Sequence, residues 1–408
     1  MTEQSTLNLP DHVPADLYRD WPAGNVLAGD WRNPFAETEA VFSADYPSIF
    51  YTMGNFGVYT WMVTRHEDVR TVYQTPEIFS SIGIGGYQKL AGEEWEMLPL
   101  AIDAPDHSNY RSLLLPPLSP KKISALEEPM RLRSLELIDS FISKGECDFV
   151  DDFARPYPIS IFMNLMGFPS SMYEQFLQWE KCILSGGDLT LDDQASGIRD
   201  CIAWLRGFIE ERENNPQQDL TTTIVTSQIN GKPITPDGKI GMVFMLFVGG
   251  LDTVASSLSL WFTWLGVNTD YRQQLIDNPK LIPSAVEELL RVNPVVNSPR
   301  YVKEDTVFRG VTMKKGDQVT CMNSAACFDE AVFNCPREVV FDRAPNKHLT
   351  LAAGPHRCMG SHLARRELKI ALETWLEKIP NYRIKPGSDV TAFGGLGGVK
   401  WLPLEWDI

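Results

Sequence analysis

Cys358 is the residue of this chain best placed to do chemistry, because it lies on a glycine-punctuated loop, Leu351-Ala-Ala-Gly-Pro-His-Arg-Cys-Met-Gly360, that runs straight into a helix. Ala364, Leu368, Ala371, Leu372, Trp375 and Ile379 recur at helical spacing behind it, and Pro380 ends the pattern. The positive end of that helix and the free N–H groups of the loop predict a depressed thiol pKa, and a thiolate is a nucleophile or a metal ligand. Gly354 and Gly360 let the backbone approach something bulky, and a flat metal complex fits. A buried structural cysteine is the competing reading of a lone Cys.

Three further groupings carry chemical potential. In Asp103-Ala-Pro-Asp-His-Ser-Asn-Tyr-Arg111, Pro105 opens a helix that puts His107 and Arg111 on one face, where they serve as anion donors or form a solvated surface. In Gly249-Gly-Leu-Asp-Thr253 an acid and an alcohol adjoin a glycine pair inside an apolar helix. They suit a proton relay; the plainer account has Thr253 bonding back to its own helix and Asp252 in a salt bridge. In Pro283-Ser-Ala-Val-Glu-Glu-Leu-Leu-Arg291, Glu288 and Arg291 are i,i+3 partners, and on spacing alone Glu287 with Arg291 serves equally well.

The elements that must position these groups are mostly helical. Tyr59–Val63 reads as a strand, followed by a short helix from 67 to 73, so the first hundred residues predict a small sheet with helices. Residues 91–100, flanked by Gly83, Gly85, Gly86 and Gly92, read as a mobile segment over a pocket. Residues 120–211 are helical scaffold interrupted at Pro156, Pro158 and Pro169. Asn230-Gly231 predicts a hairpin turn, and Thr235-Pro236 a capped helix start. The helix from 240 to about 265 is long and apolar enough to span a bilayer, but mid-helix Asp252 and the lack of flanking anchors make it a buried central helix. From Arg300 to Cys321 strands are expected at a sheet edge, turning at Lys314-Lys-Gly316. Gly394-Gly-Leu-Gly-Gly-Val399 reads as a flexible turn into a last strand at 401–406.

Composition bounds the class. The 408 residues are 43% hydrophobic and 11% aromatic, enough for a large core, and no linker or repeat divides them, so one domain over 1–408 is expected. A net charge of −16 argues against nucleic acid and anionic lipid as partners. The start has no basic or apolar leader, which predicts a cytoplasmic protein without a membrane anchor. The 7 cysteines show no CxxC pair or zinc spacing.

Gly354-x-His356-x-Cys358-x-Gly360 with Leu363-Ala364-Arg365 resembles the haem-binding loop of a cytochrome P-450, with Leu351 and Ala352 standing where the family usually has an aromatic and a glycine. Gly249–Thr253 resembles the family's oxygen-activating segment, and the Glu-x-x-Arg signature selects Glu288 and Arg291, with Arg343 as the third member of a structural cluster. Segments 248–254, 363–367 and 399–406 look closest to the bacterial camphor-hydroxylase branch.

The resemblance implies a mainly α fold with a smaller β-sheet region, and haem b (iron protoporphyrin IX) ligated by the Cys358 thiolate. It implies propionate contacts from His107, Arg111, Arg300 and His356, and proton delivery by Asp252 and Thr253. It further implies a monooxygenase that hydroxylates a small apolar substrate, a terpenoid or norisoprenoid, with dioxygen and electrons from NAD(P)H. Those electrons would come through a reductase and a [2Fe-2S] ferredoxin, steered by Arg111, Lys121, Lys122 and Arg365. The implied pocket is Trp95, Met245, Val248, Val296 and Leu396, with Trp95 replacing a tyrosine that holds the substrate ketone in camphor hydroxylases. A peroxide-using haem-thiolate enzyme and a non-catalytic haem sensor or carrier are the alternatives. The remaining histidines, 12, 66, 348 and 362, have no ligand spacing and read as surface or packing residues.

Overall fold

The computed structural model describes residues 9–21, 40–43, 46–54, 57–184, 189–390, 392–393 and 398–408. β1 (Ile49–Met53) and β2 (Tyr59–Val63) form an antiparallel pair with Ile49 opposite Val63. α1 (His66–Gln74) and β3 (Phe79–Ser80) follow, and the sheet is completed from the far end of the chain by β4 (Ser298–Val302) and β5 (Gln318–Cys321). The five strands run in the order β1-β2-β5-β4-β3, with β5 parallel to β2 and antiparallel to β4. β4 and β5 therefore lie inside this sheet and not at its edge, while Thr306–Phe308 and Val311–Met313, between them in the chain, pair as a separate two-stranded hairpin. β5 is bonded on both sides, and Val319 and Cys321 are buried with Trp61 and Val63 in one cluster, so the burial of its apolar residues holds it in the interior of the sheet.

The helical body carries the other parts of the site: α2 (Asp106–Leu114), α3 (Pro156–Met166), α4 (Tyr173–Leu184), α5 (Leu191–Asn214), α6 (Pro236–Leu251), α7 (Thr253–Val267), α8 (Ile282–Val292) and α9 (Ser361–Lys378). Asn230 and Gly231 make the expected hairpin turn at φ 52° and 73°, and Thr235 Oγ1 caps α6 by accepting from Gly238 N at 3.1 Å. The central apolar helix is interrupted at Asp252, whose φ of −108° separates α6 from α7, just past the glycine pair. By length and composition it could cross a membrane, yet 67% of its most apolar stretch is buried in protein. α7 and α9 meet through aromatic side chains, with Trp375 edge-on to Phe262 at 5.3 Å and to Phe149 at 4.8 Å.

Residues 91–100 differ from the expectation of a mobile cover. Trp95, Met97 and Leu98 are buried in the main core, and Gln88 Nε2 donates to the Trp95 carbonyl at 2.8 Å. A Cβ on Gly241 would lie 2.2 Å from the Glu96 carbonyl oxygen, so only glycine lets α6 approach this segment. The glycines around it make turns; the apolar residues between them do the packing.

Candidate active site

The cysteine loop is fixed at both ends. Gly354 has φ +69° and a Cβ there would sit 2.3 Å from the Tyr73 carbonyl oxygen at the end of α1. Cys358 N donates to Leu351 O at 2.9 Å, and Ala364 N to Gly360 O at 2.8 Å starts the α9 ladder. Ala352 also takes a left-handed φ, 56°, where a glycine would be at ease. Cys358 is accessible from one side. It is nevertheless set deep enough in the protein that desolvation pushes its thiol up, against the Gly360 N–H and the guanidinium groups of Arg111, Arg365 and Arg357. The protein alone therefore does not depress this thiol as the sequence predicts: desolvation outweighs the Gly360 N–H and the neighbouring guanidinium charges. A coordinating cation deprotonates a thiol outright, so a metal rather than the protein alone would make the thiolate.

Beside the loop, α2, β4 and the loop itself bring four donors together. The His107 and His356 rings lie 4.0 Å apart at 38°. Arg300 is buried over the Tyr73 ring at 5.0 Å, and an Arg111 Nη2 donates to the Arg357 carbonyl. Burial first, then His107 and Arg300, push the His356 pKa down to about 3, so this imidazole is neutral near pH 7. His107 is 2% exposed and its Nε2 has no partner, and among the described residues no carboxylate pairs with Arg111 or Arg300. A site with this donor set suits an anion.

The central helix opens on one face. Met245, Gly249 and Thr253 follow at i,i+4 steps with Val248 beside them, all at least partly accessible, while Phe244, Phe247, Leu251 and Val254 on the opposite side are buried. A Cβ on Gly249 would meet nothing within 4 Å, whereas one on Gly250 would strike the Phe162 ring of α3 at 2.4 Å. Thr253 Oγ1 is 3.5 Å from the Gly249 carbonyl oxygen, a weak return bond that leaves the hydroxyl available. Asp252 lies off the open face, 6% exposed, and accepts from Ser256 Oγ at 3.2 Å.

Of the pocket candidates, Trp95 is buried edge-on to Phe244 at 5.3 Å, and its Nε1 donates to Glu93 Oε2 at 2.7 Å. The same carboxylate oxygen accepts from Arg206 of α5 at 2.6 Å, so the indole N–H is committed elsewhere. Val296, between α8 and β4, is half-buried against the main core. Leu396, and with it most of the turn at 394–399, lies outside the described residues.

Glu288, Arg291 and Arg343 do form one cluster. Arg291 Nε and Nη2 donate to Glu288 at 2.9 and 2.8 Å, and Arg343 Nε reaches both carboxylate oxygens at 3.1 Å. Sequence reasoning did not find Asn346, which donates to Glu288 at 3.0 Å, or the carbonyls of Cys327 and Pro336 that take Arg291 Nη1. It also did not assign Glu287, which faces the other way and accepts from Arg365 at 2.6 and 2.8 Å and from His348 at 3.1 Å. Neighbouring helix residues point 100° apart, and that is the signal that two adjacent glutamates serve two partners. His348 is thus a bonding partner that ties the approach to the cysteine loop to α8, and Arg365 is an ion-paired residue, not a free surface charge.

Residues 198–391 match the family profile of Cytochrome P-450. Over 98% of its length, and 97% of the relative's, the chain is 34% identical to the probable cytochrome P-450 127A1 of Sinorhizobium fredii strain NGR234. The chain belongs to the cytochrome P-450 family. The crystal structure of cytochrome P-450 CYP101C1 is 31% identical and superposes with a TM-score of 0.85, covering 98% of this chain and all of that one (100%). Linalool 8-monooxygenase of Pseudomonas putida is 27% identical over 84% of this chain and 88% of its own. Enzymes of this family are monooxygenases that hold haem b on a cysteine thiolate, and this P-450 has the same fold and the same cofactor. The residues present fit that group: an accessible thiol on a fixed loop, an open helix face at Gly249, and a buried, unpartnered imidazole nitrogen among uncompensated arginines suited to a propionate.

Proposed function

We propose that this P-450 hydroxylates a small apolar terpenoid or norisoprenoid, with Cys358 holding haem iron and the open face of α6 forming the substrate wall. The observation that carries the reading is the accessible row Met245, Val248, Gly249 and Thr253 on a helix whose Phe244, Phe247 and Leu251 are buried in the core. When bound, the haem-thiolate supplies reductive activation of dioxygen and transfer of one oxygen atom to carbon. The chain's own residues do the rest. His107, His356, Arg300 and Arg111 would hold the propionates, and Glu288, Arg291 and Arg343 would keep the cysteine loop in register. Thr253, with its hydroxyl barely engaged, would hand on protons supplied through Asp252.

The substrate reading rests on what lines the row. Met245, Val248 and Val296 offer only apolar surface, and the Trp95 N–H is taken by Glu93, so no donor replaces the tyrosine hydroxyl of camphor hydroxylases. Binding would then depend on shape, and similarity to a linalool monooxygenase fits a terpenoid of that size. The test is Trp95→Tyr: camphor affinity, read from the haem spin-state change, should rise relative to that of an ionone-like ligand. An unchanged ratio removes Trp95 from the specificity argument.

Electrons would come from NAD(P)H through a reductase and a [2Fe-2S] ferredoxin. With Arg365 paired to Glu287 and Arg111 turned to the loop, the exposed Lys121 and Lys122 remain as the cations of this group with no ion pair among the described residues. They would steer an acidic ferredoxin, and the rate of reduction should fall with ionic strength. The retained acid and alcohol at 252 and 253 favour this reading over a peroxide-using enzyme. Product formation with the ferredoxin system and NAD(P)H would also set aside a haem sensor or carrier.

A further inference from the structure

The mechanism above uses one of two buried carboxyls at the break in the central helix. The other is Glu180 of α4. Phe176 and Trp179 of α4 pack against Phe247 of α6, at ring distances of 5.1 and 6.4 Å, and this brings the next residue, Glu180, against Asp252. The two carboxyls are in hydrogen-bond contact, and their residues are 7% and 6% exposed. Two ionised carboxylates are acceptors only, so such a contact in a dry site requires a proton on one of them.

We propose that Glu180 and Asp252 hold one proton between them, and that this pair is the proton source behind Thr253. The inference rests on the reading of Asp252 and Thr253 as the proton-delivery pair and adds the residue that charges it. The surroundings favour a singly protonated pair. Ser256 Oγ of α7 donates to Asp252, and Arg155, at the end of the turn Val150–Ala154, supplies one nearby positive charge while it also pairs with Asp151 at 2.8 Å. Tyr173, one α4 turn and more away, is neutral, with its pKa raised. Desolvation pushes both carboxyls up, Glu180 well above the ordinary range. The route to solvent is short, because the outward face of α4, with Glu174, Gln175, Gln178 and Lys181, is exposed. In each transfer the shared proton passes from Glu180 to Asp252, Asp252 gives it to the Thr253 oxygen as that hydroxyl releases its own, and the pair, now without a proton, regains one from water at Glu180. No electron moves in this relay; each proton consumed comes from solvent.

The test compares Glu180→Gln and Asp252→Asn with the wild-type holoenzyme. Infrared spectra at pH 7 should show a protonated-carboxyl band that disappears in Glu180→Gln; buried Glu367, whose pKa is also raised well above the ordinary range, gives a separate band that stays. Glu180→Gln should lower product formed per NAD(P)H by about tenfold and raise the solvent isotope effect, since the amide keeps the contact but has no acidic proton. If no band is lost, the shared proton is refuted. If the band is lost but coupling and isotope effect stay at wild-type values while Asp252→Asn is impaired, Glu180 is not the source, though Asp252 still delivers. If Asp252→Asn is also unimpaired, the acid and alcohol reading itself fails. Should Glu180→Gln not fold, Glu180→Asp must shift the same band and the isotope effect, and an unchanged band and isotope effect refute the proposal.

Discussion

Glu288→Gln removes one charge and changes almost no volume, so it isolates what the buried cluster contributes. Glu288 and Arg291 have fully buried side chains (0%), and that of Arg343 is 8% exposed. The carboxylate also accepts from Val340 N at 2.9 Å and Asn346 at 3.0 Å. An amide can replace one acceptor but not the charge, and two guanidinium groups are left facing a neutral group away from water. Breaking a buried pair in this way costs about 3–5 kcal/mol. Unfolding entropy of about 2.1 cal/mol/K per residue over 408 residues converts this to a fall in Tm of about 4–6 °C. Glu287→Gln is the control, since its partner Arg365 is 26% exposed and water can screen the loss, to about 1 kcal/mol and about 1 °C. The assay is thermal unfolding of both variants at equal haem loading. A fall below about 1 °C for Glu288→Gln, or equal shifts for the two, would refute the cluster's role in stability.

Two further outcomes follow from the site. Bonds from His348 and Arg365 outweigh desolvation and lower the Glu287 pKa from 4.5 to about 2, so its contribution to stability is complete above about 4.5 and lost as pH falls through about 2. The Tm of Glu287→Gln should therefore fall less steeply than wild type across that window, and parallel curves would contradict the assignment. Thr253→Ala should keep substrate affinity and NAD(P)H consumption while diverting electrons to peroxide; full coupling to product in that variant would remove Thr253 from proton delivery.

What the sequence made legible was local. The cysteine loop, the helix behind it and the cap at Thr235 are set by spacing within a few residues, and each is found where spacing puts it, whereas spacing left Glu287 and Glu288 equal as partners of Arg291 and the family signature selected Glu288. His107 and Arg111 were legible as neighbours on a helix, but their joining with Arg300 and His356 is a product of tertiary folding that only the family resemblance anticipated. The errors share one cause. The Cys358 thiol was expected to be acidic from its helix, yet the protein packed around it decides the sign. Residues 91–100 looked loose by their glycines, yet Trp95 and Met97 are buried by contacts from α5 and α6. Glu180 in an amphipathic helix and His348 in a loop gave no local signal at all, because each acquires its role from a partner about 60 to 70 residues away in the chain.

The most direct measurement is the spectrum of the reduced carbonyl complex of Cys358→Ser. The wild-type protein should show the red-shifted Soret band of a thiolate-ligated haem, and the serine variant, folded and haem-loaded, should lack it. A variant that retains the red-shifted band would contradict the assignment of Cys358 as the iron ligand, and with it the site built around this loop.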